Sequence, residues 1–257
     1  LRRILIILVL LLLLGASYLA NRFTAHLHYI VPVQAGKVAY IATFDDFKSD
    51  WVQAEGRLKT QILDTGVLEI SVGDVDKLPF SQAKPYFADF DVRAQATAVD
   101  GPEGNGFGLI FRLQNKDNSS PSDDDFYLFE ISSDGYYRVL RSLYNPSKGV
   151  SVQKELSTWI PSPVVNQHIG ATNFLRVVAK GQQFQFYVNN QLMKLCIPDD
   201  PNAESTFPAT GECVGGKMLD TLVDASIANG QLGVVAQSLD EQGVVVDFDN
   251  VVVYGPS

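Results

Sequence analysis

FYLFEISSDGYYRVLRS, residues 126–142, decides how this chain is read. Tyr127, Phe129 and Ile131 recur at every second position, Ser-Asp-Gly interrupts them, and Tyr137 and Val139 resume the alternation. That is the period-two pattern of strands joined by a turn. Working outward, similar runs lie at residues 40–44, 51–59, 67–72, 87–99 and 107–113, and then at 174–180, 183–188, 191–196, 230–237 and 244–254. Gly, Pro, Asn and Asp separate them, and no helical periodicity intervenes after Tyr40. Val188-Asn189-Asn190-Gln191 is a hairpin signal, because Asn tolerates the positive φ that a two-residue turn needs. Residues 115–125 and 198–226 are polar and read as surface loops. The expected fold class is all-β, two packed antiparallel sheets in a sandwich of about 220 residues, long enough for a full core.

The N-terminus is of another kind. Residues 4–20, ILIILVLLLLLGASYLA, carry no charge and follow Arg2 and Arg3. A hydrocarbon core of about 30 Å takes roughly 20 helical residues, so the run predicts a single transmembrane helix over residues 1–28, extended at the interface. A cleaved secretory signal is the competing reading, given the basic start and the small residues Gly15, Ala16 and Ser17. Basic residues precede the run more than they follow it, which places the N-terminus in the cytoplasm and the rest of the chain outside the cell membrane. Residues 29–39, with Pro32, read as a juxtamembrane linker, and residues 40–257 as the domain. Cys196 and Cys213 are the only cysteines, and their spacing suits a disulfide in such a compartment, beside the alternative of two unrelated buried thiols.

With 20 basic and 29 acidic residues the net charge is −9, the wrong sign for a nucleic-acid partner. Asp46, Asp247 and Asp249, near the first and last strands, are candidate ligands of a structural calcium, the only cofactor the sequence raises.

FDDF at 44–47 with Trp51 after it, GFGLIFR at 106–112, YLFEISSDGYYRVLR at 127–141, FLRVVAKGQQFQFYVNNQL at 174–192 and GVVVDFDNVVVYGP at 243–256 resemble bacterial extracytoplasmic concanavalin A-like (laminin G-like) jelly-roll domains. The resemblance is nearest to the group that includes 3-keto-disaccharide hydrolase-type domains. It implies a two-sheet jelly roll whose first and last strands meet, with a concave face that binds carbohydrate in many relatives. Glycoside hydrolases of this fold carry acidic residues at alternate positions of one strand, because two carboxylates must flank one sugar bond. Here Glu130 stands alone in the matching strand, followed by Ile131, Ser132 and Ser133. The expectation is therefore a protein without enzymatic activity.

If Val92, Ala94, Leu109, Phe111, Tyr127 and Phe129 point inward, alternation turns Arg93, Gln95, Arg112 and Glu130 to the other face, with Tyr136 and Arg138 beside them. Arg93, Arg112, Glu130, Tyr136 and Arg138 are thus the candidate ligand-binding residues, or else cross-strand ion pairs. Two functions are expected in turn. The first is an accessory subunit that docks onto other transmembrane subunits in the lipid bilayer. The alternative is a surface module that binds a glycan, and less so a degenerate glycoside hydrolase.

Overall fold

The computed structural model describes residues 13–17, 28–46, 49–114 and 123–257. Of the first unit, Leu1–Ile30, residues 13–17 are helical, and the remainder of the expected transmembrane segment lies outside the described residues apart from His28. Among the described residues no helix is long and apolar enough to cross a membrane. The second unit, Val31–Ser257, carries the β fold. It begins inside the segment expected to be a linker: the Val31 N–H donates to the Tyr86 carbonyl at 2.8 Å, and Val31 and Val33 pack on the core.

Two antiparallel sheets form a sandwich. The larger joins β1 (Val38–Ala42), β2 (Leu58–Ile62), β3 (Leu68–Val72), β5 (Phe90–Asp100), β10 (Thr172–Lys180), β11 (Gln183–Val188), β12 (Gln191–Leu192), β15 (Leu222–Val223) and β17 (Val244–Tyr254). The smaller runs in the order β4 (Phe80–Phe87), β16 (Gly230–Gln237), β6 (Gly106–Gln114), β7 (Asp125–Ser132), β8 (Tyr136–Asn145) and β9 (Val150–Pro161). β13 (Leu195–Pro198) and β14 (Gly216–Leu219) pair separately. First and last strands meet, with Ile41 opposite Val252. Asn189 and Asn190 adopt φ of 49° and 65° in the β11–β12 turn, as the sequence expected.

Aromatic rings bridge the two sheets. Phe111 of β6 stacks on Tyr127 of β7 at 5.4 Å and meets Phe184 and Phe186 of β11 at 5.6 and 6.1 Å, and Phe129 meets Phe186 at 5.0 Å. Val92, Ala94, Leu109, Phe111, Tyr127 and Phe129 all face this core. On the opposite side of the smaller sheet, Ile110, Leu113, Phe126, Leu128, Leu140 and Val235 form a second buried cluster. Strands buried on both faces lose the alternation of half-buried ones, which is why GFGLIFRL reads as an almost unbroken apolar run.

Arg112 departs from the alternating expectation. β6 slips register after Phe111 against β7, and Arg112 takes a φ of 50°. Such a bulge re-aims a side chain. The guanidinium therefore turns into the protein: Nη1 donates to the Ile227 carbonyl at 2.7 Å, Nη2 donates to the carbonyls of Ala88 at 3.0 Å and Gly181 at 2.5 Å, and its carbon lies 4.7 Å from the Phe184 ring centroid. Its residue is 1% exposed. Gly230 backs directly onto the Arg112 main chain, where any Cβ would collide. Arg112 ties three loops together and is unavailable to a ligand.

Cys196 and Cys213 form a disulfide that closes the loop between β13 and β14. The Cys196 backbone also docks on β9, its N–H donating to Ser157 Oγ at 3.0 Å.

Two outcomes follow. Arg112→Ala strands three carbonyls from a charged donor and should lower the unfolding free energy by about 3 kcal/mol or more, read from urea titrations at constant slope. Reducing the Cys196–Cys213 bridge should cost about 2–4 kcal/mol in the same titration run with and without dithiothreitol.

Candidate functional site

The sequence-derived candidates divide between opposite sides of the sandwich. Glu130, Tyr136 and Arg138 lie on the outward side of the smaller sheet, and Arg93 on the outward side of the larger. Alternation within a strand was read correctly for these residues, but it carries no information about which sheet a strand joins.

On the smaller sheet, Arg138 and Glu130 are direct cross-strand partners. Arg138 Nε donates to Glu130 Oε1, Nη1 donates to Glu155 Oε1 at 2.9 Å, and Nη2 donates to Gln237 Oε1 at 3.0 Å. The Trp159 ring covers the guanidinium at 4.5 Å. Glu130 is 0% exposed, and its Oε2 has no hydrogen-bond partner. Its carboxylate fits only because Gly106 on the neighbouring strand has no Cβ. Burial pushes the Glu130 carboxyl above its ordinary value, and the attraction of Arg138 only partly offsets that rise. Arg138 thus bonds two carboxylates, Glu130 and Glu155, in one ion-paired network. Tyr136 stands at its margin, 38% exposed.

The larger sheet presents the more open arrangement. Arg93 of β5 and Arg176 of β10 are directly opposed across the strand pair, and their charges repel. Asp91, two residues along β5, bridges them. Arg176 donates to Asp91 from Nε at 2.7 Å and from Nη2 at 2.8 Å, and Arg93 donates from Nε at 3.2 Å and Nη2 at 2.8 Å. Burial raises the Asp91 carboxyl, but the hydrogen bonds and charges of the two arginines outweigh it and hold it below its usual value, so it stays ionised. Each guanidinium also lies over a tyrosine ring, Arg93 over Tyr254 at 4.6 Å and Arg176 over Tyr187 at 4.5 Å.

Arg93 and Arg176 line a depression of about 230 Å³ together with Phe174, Tyr254, Asn190 and Asn250. Phe174 is 51% exposed. Asn190 arrives from the β11–β12 turn, and Asn250, with a φ of 52°, from a bulge where β17 slips register against β5. Of this site the sequence singled out Arg93 alone. Arg176 and Phe174 were legible only as alternate residues of a strand, and Asp91 only through its register with both arginines.

The calcium candidates do not converge. Among the described residues, no group of three or more His, Cys, Asp or Glu side chains is arranged to hold a metal. Asp247 and Asp249 alternate on the outward side of β17, and Asp46 lies exposed on the loop after β1. Burial and the facing Glu69 raise the Asp247 carboxyl. Burial and Asp45 do the same to Asp249, against a hydrogen bond from Asn250.

No protein family and no curated protein sequence matches this chain. Among solved structures it is similar to the carbohydrate-binding module CBM66 from Bacillus subtilis, at 14% identity over 86% of this chain and 98% of that one, with a TM-score of 0.51. A Bacillus subtilis protein of unknown function with a galectin-like fold is 11% identical over 87% and 98%, with a TM-score of 0.56. The Crh5 transglycosylase, in complex with NAG, is 12% identical over 88% of both chains, with a TM-score of 0.50. The sandwich is thus similar in fold to a galectin-like protein and to a carbohydrate-binding module. At such identities the likeness shows the fold, and function has to be argued from the sites.

The Glu130 environment sets a pH dependence. A carboxyl raised by folding adds stability below its unfolded value, and that contribution is lost as pH rises through the native value. The stability of the wild type relative to Glu130→Gln should therefore be greatest at and below the ordinary glutamate value of 4.5 and fall as pH rises above it. A difference that stays flat from about pH 4 to 8 in parallel urea titrations would contradict this assignment.

Proposed function

We propose that this protein is a non-catalytic carbohydrate-binding module that takes its glycan in the depression on the larger sheet. One observation carries the reading: two guanidiniums, held in place by a buried carboxylate and two tyrosine rings, floor an open depression beside the exposed ring of Phe174. Sugars present a weakly polar ring face and a rim of hydroxyls, so a stacking surface beside fixed hydrogen-bond donors suits them. Drug-sized ligands fill roughly 300–1,000 Å³. The volume of about 230 Å³ suits one sugar unit of a longer chain. Likeness to a carbohydrate-binding module agrees with this order of preference and reverses the one drawn from sequence, which put an accessory docking subunit first.

Absence of catalysis is part of the proposal. A retaining glycosidase needs two carboxylates about 5 Å apart with the sugar between them. In this protein Arg138 bonds both Glu130 and Glu155. Display outside the cell membrane, on a tether within residues 1–28, is supported by the apolar run behind Arg2 and Arg3 and by the Cys196–Cys213 disulfide, a bond that persists in oxidising compartments.

A glycan array probed with the full chain should return binding to a defined glycan class. Phe174→Ala should weaken that binding by about tenfold, equivalent to about 1.4 kcal/mol, with the thermal midpoint unchanged. Binding that survives Phe174→Ala intact would move the site elsewhere.

A further inference from the structure

We infer that the depression is specific for an acidic sugar and that the Arg93–Arg176 pair receives its carboxylate; this rests on the carbohydrate-binding reading above. Two arginines directly opposed across neighbouring strands are unfavourable, and a purely structural network would relieve the repulsion with matched acids. On the other sheet the acids outnumber the cation, since Arg138 bonds both Glu130 and Glu155. At the depression the ratio is inverted. Among the described residues Asp91 alone pairs with both guanidiniums, leaving a surplus positive charge there on a chain whose net charge is −9.

Hydrogen-bond geometry says how the surplus is presented. A guanidinium has five N–H donors and two edges that match a carboxylate. Arg93 and Arg176 each spend the Nε/Nη2 edge on Asp91. The Nη1/Nη2 edge of each remains unspent, and both residues line the depression. Asp91, with a side chain 6% exposed, and the rings of Tyr254 and Tyr187 fix the guanidinium planes before any ligand arrives. A neutral sugar would use the donors but has no need of the charge. A uronate unit uses both, placing a planar carboxylate on the arginines while Asn190 and Asn250 at the rim face its hydroxyls and Phe174 its ring. The same outward face turns acidic further along β17, at Asp247, Asp249 and the facing Glu69, which confines an anionic chain to the arginine end.

Calorimetry on the full chain in mild detergent, with trigalacturonate and its methyl ester as probes, separates the readings, since the ester keeps the sugar and removes the charge. The acid should bind, the ester should bind about 10- to 100-fold more weakly, and Arg93→Gln or Arg176→Gln should impose a loss of the same order on the acid. Arg176→Lys, which keeps the charge without the planar edge, should recover only part of that loss. Raising salt from about 0.1 to 1 M, which shortens the screening length from about 10 to 3 Å, should weaken the acid and leave the ester unmoved. Equal binding of acid and ester, or of wild type and both Gln variants, overturns the inference while leaving the carbohydrate-binding reading in place. Failure of every glycan, neutral or acidic, to bind overturns both. Unchanged thermal midpoints for the Gln variants certify that any loss belongs to the site.

Discussion

The larger sheet depends on the pairing of its last strand. β17 hydrogen-bonds to β3 and to β5, and its end also pairs with β1, so strands from the two ends of the domain are held by a segment that is made last. Such contacts close very long loops, and the entropy of closure is offset only when the inward residues Val244, Val246, Phe248, Val251 and Val253 reach the core. The bulge in β17 follows from the same demand. By shifting register between Asp249 and Val252, it keeps Val251 and Val253 facing inward and leaves Asn250 at the rim of the depression.

The two outward faces use arginine in opposite ways. On the smaller sheet Arg138 is enclosed by Glu130, Glu155, Gln237 and Trp159, and each polar partner is matched to it. A buried ion pair of this type specifies an arrangement more than it stabilises one, because desolvating the charges offsets much of their attraction. On the larger sheet two arginines share one acid, and the positive excess lies toward solvent, where Arg93 keeps 47% of its side chain exposed. Arg112 is a third case, a cation spent entirely on backbone carbonyls. Three arginines read alike in sequence therefore serve as a site, a paired network and an internal tie.

Much of the fold was legible because its strands obey the period-two rule; β14 and β15 are short and lie within residues 198–226, read as a loop, and the two longer strands that were missed break the rule for identifiable reasons. β4 contains Pro85, which cannot donate to a ladder, and it is found at a sheet edge with a register shift between Gln82 and Tyr86, where a proline is tolerated. β9 is the other edge, and its first half exposes Val150, Val152 and Gln153, so no apolar alternation marks it. Residues 51–59 alternate like a strand, yet Trp51 is a core residue on a loop, edge-on to Phe44 at 5.2 Å, and the strand begins only at Leu58. Of the site, Arg93 could be picked out as an outward charge on a strand. Arg176 could not, because nothing in its local pattern distinguishes it from other exposed strand residues.

By itself the sequence determined the class of fold, its inward residues and the Asn-Asn turn, since each of these rests on local pattern: side-chain alternation and the positive φ that Asn accepts. The tertiary structure decided which strands share a sheet, and hence that Arg93 faces Arg176 rather than Glu130. It also decided that Arg112 turns inward, because a bulge depends on how two strands are paired. A functional site made from residues 91, 93, 174, 176, 190, 250 and 254 is a product of register, and register is fixed only when the sheets close on a common core.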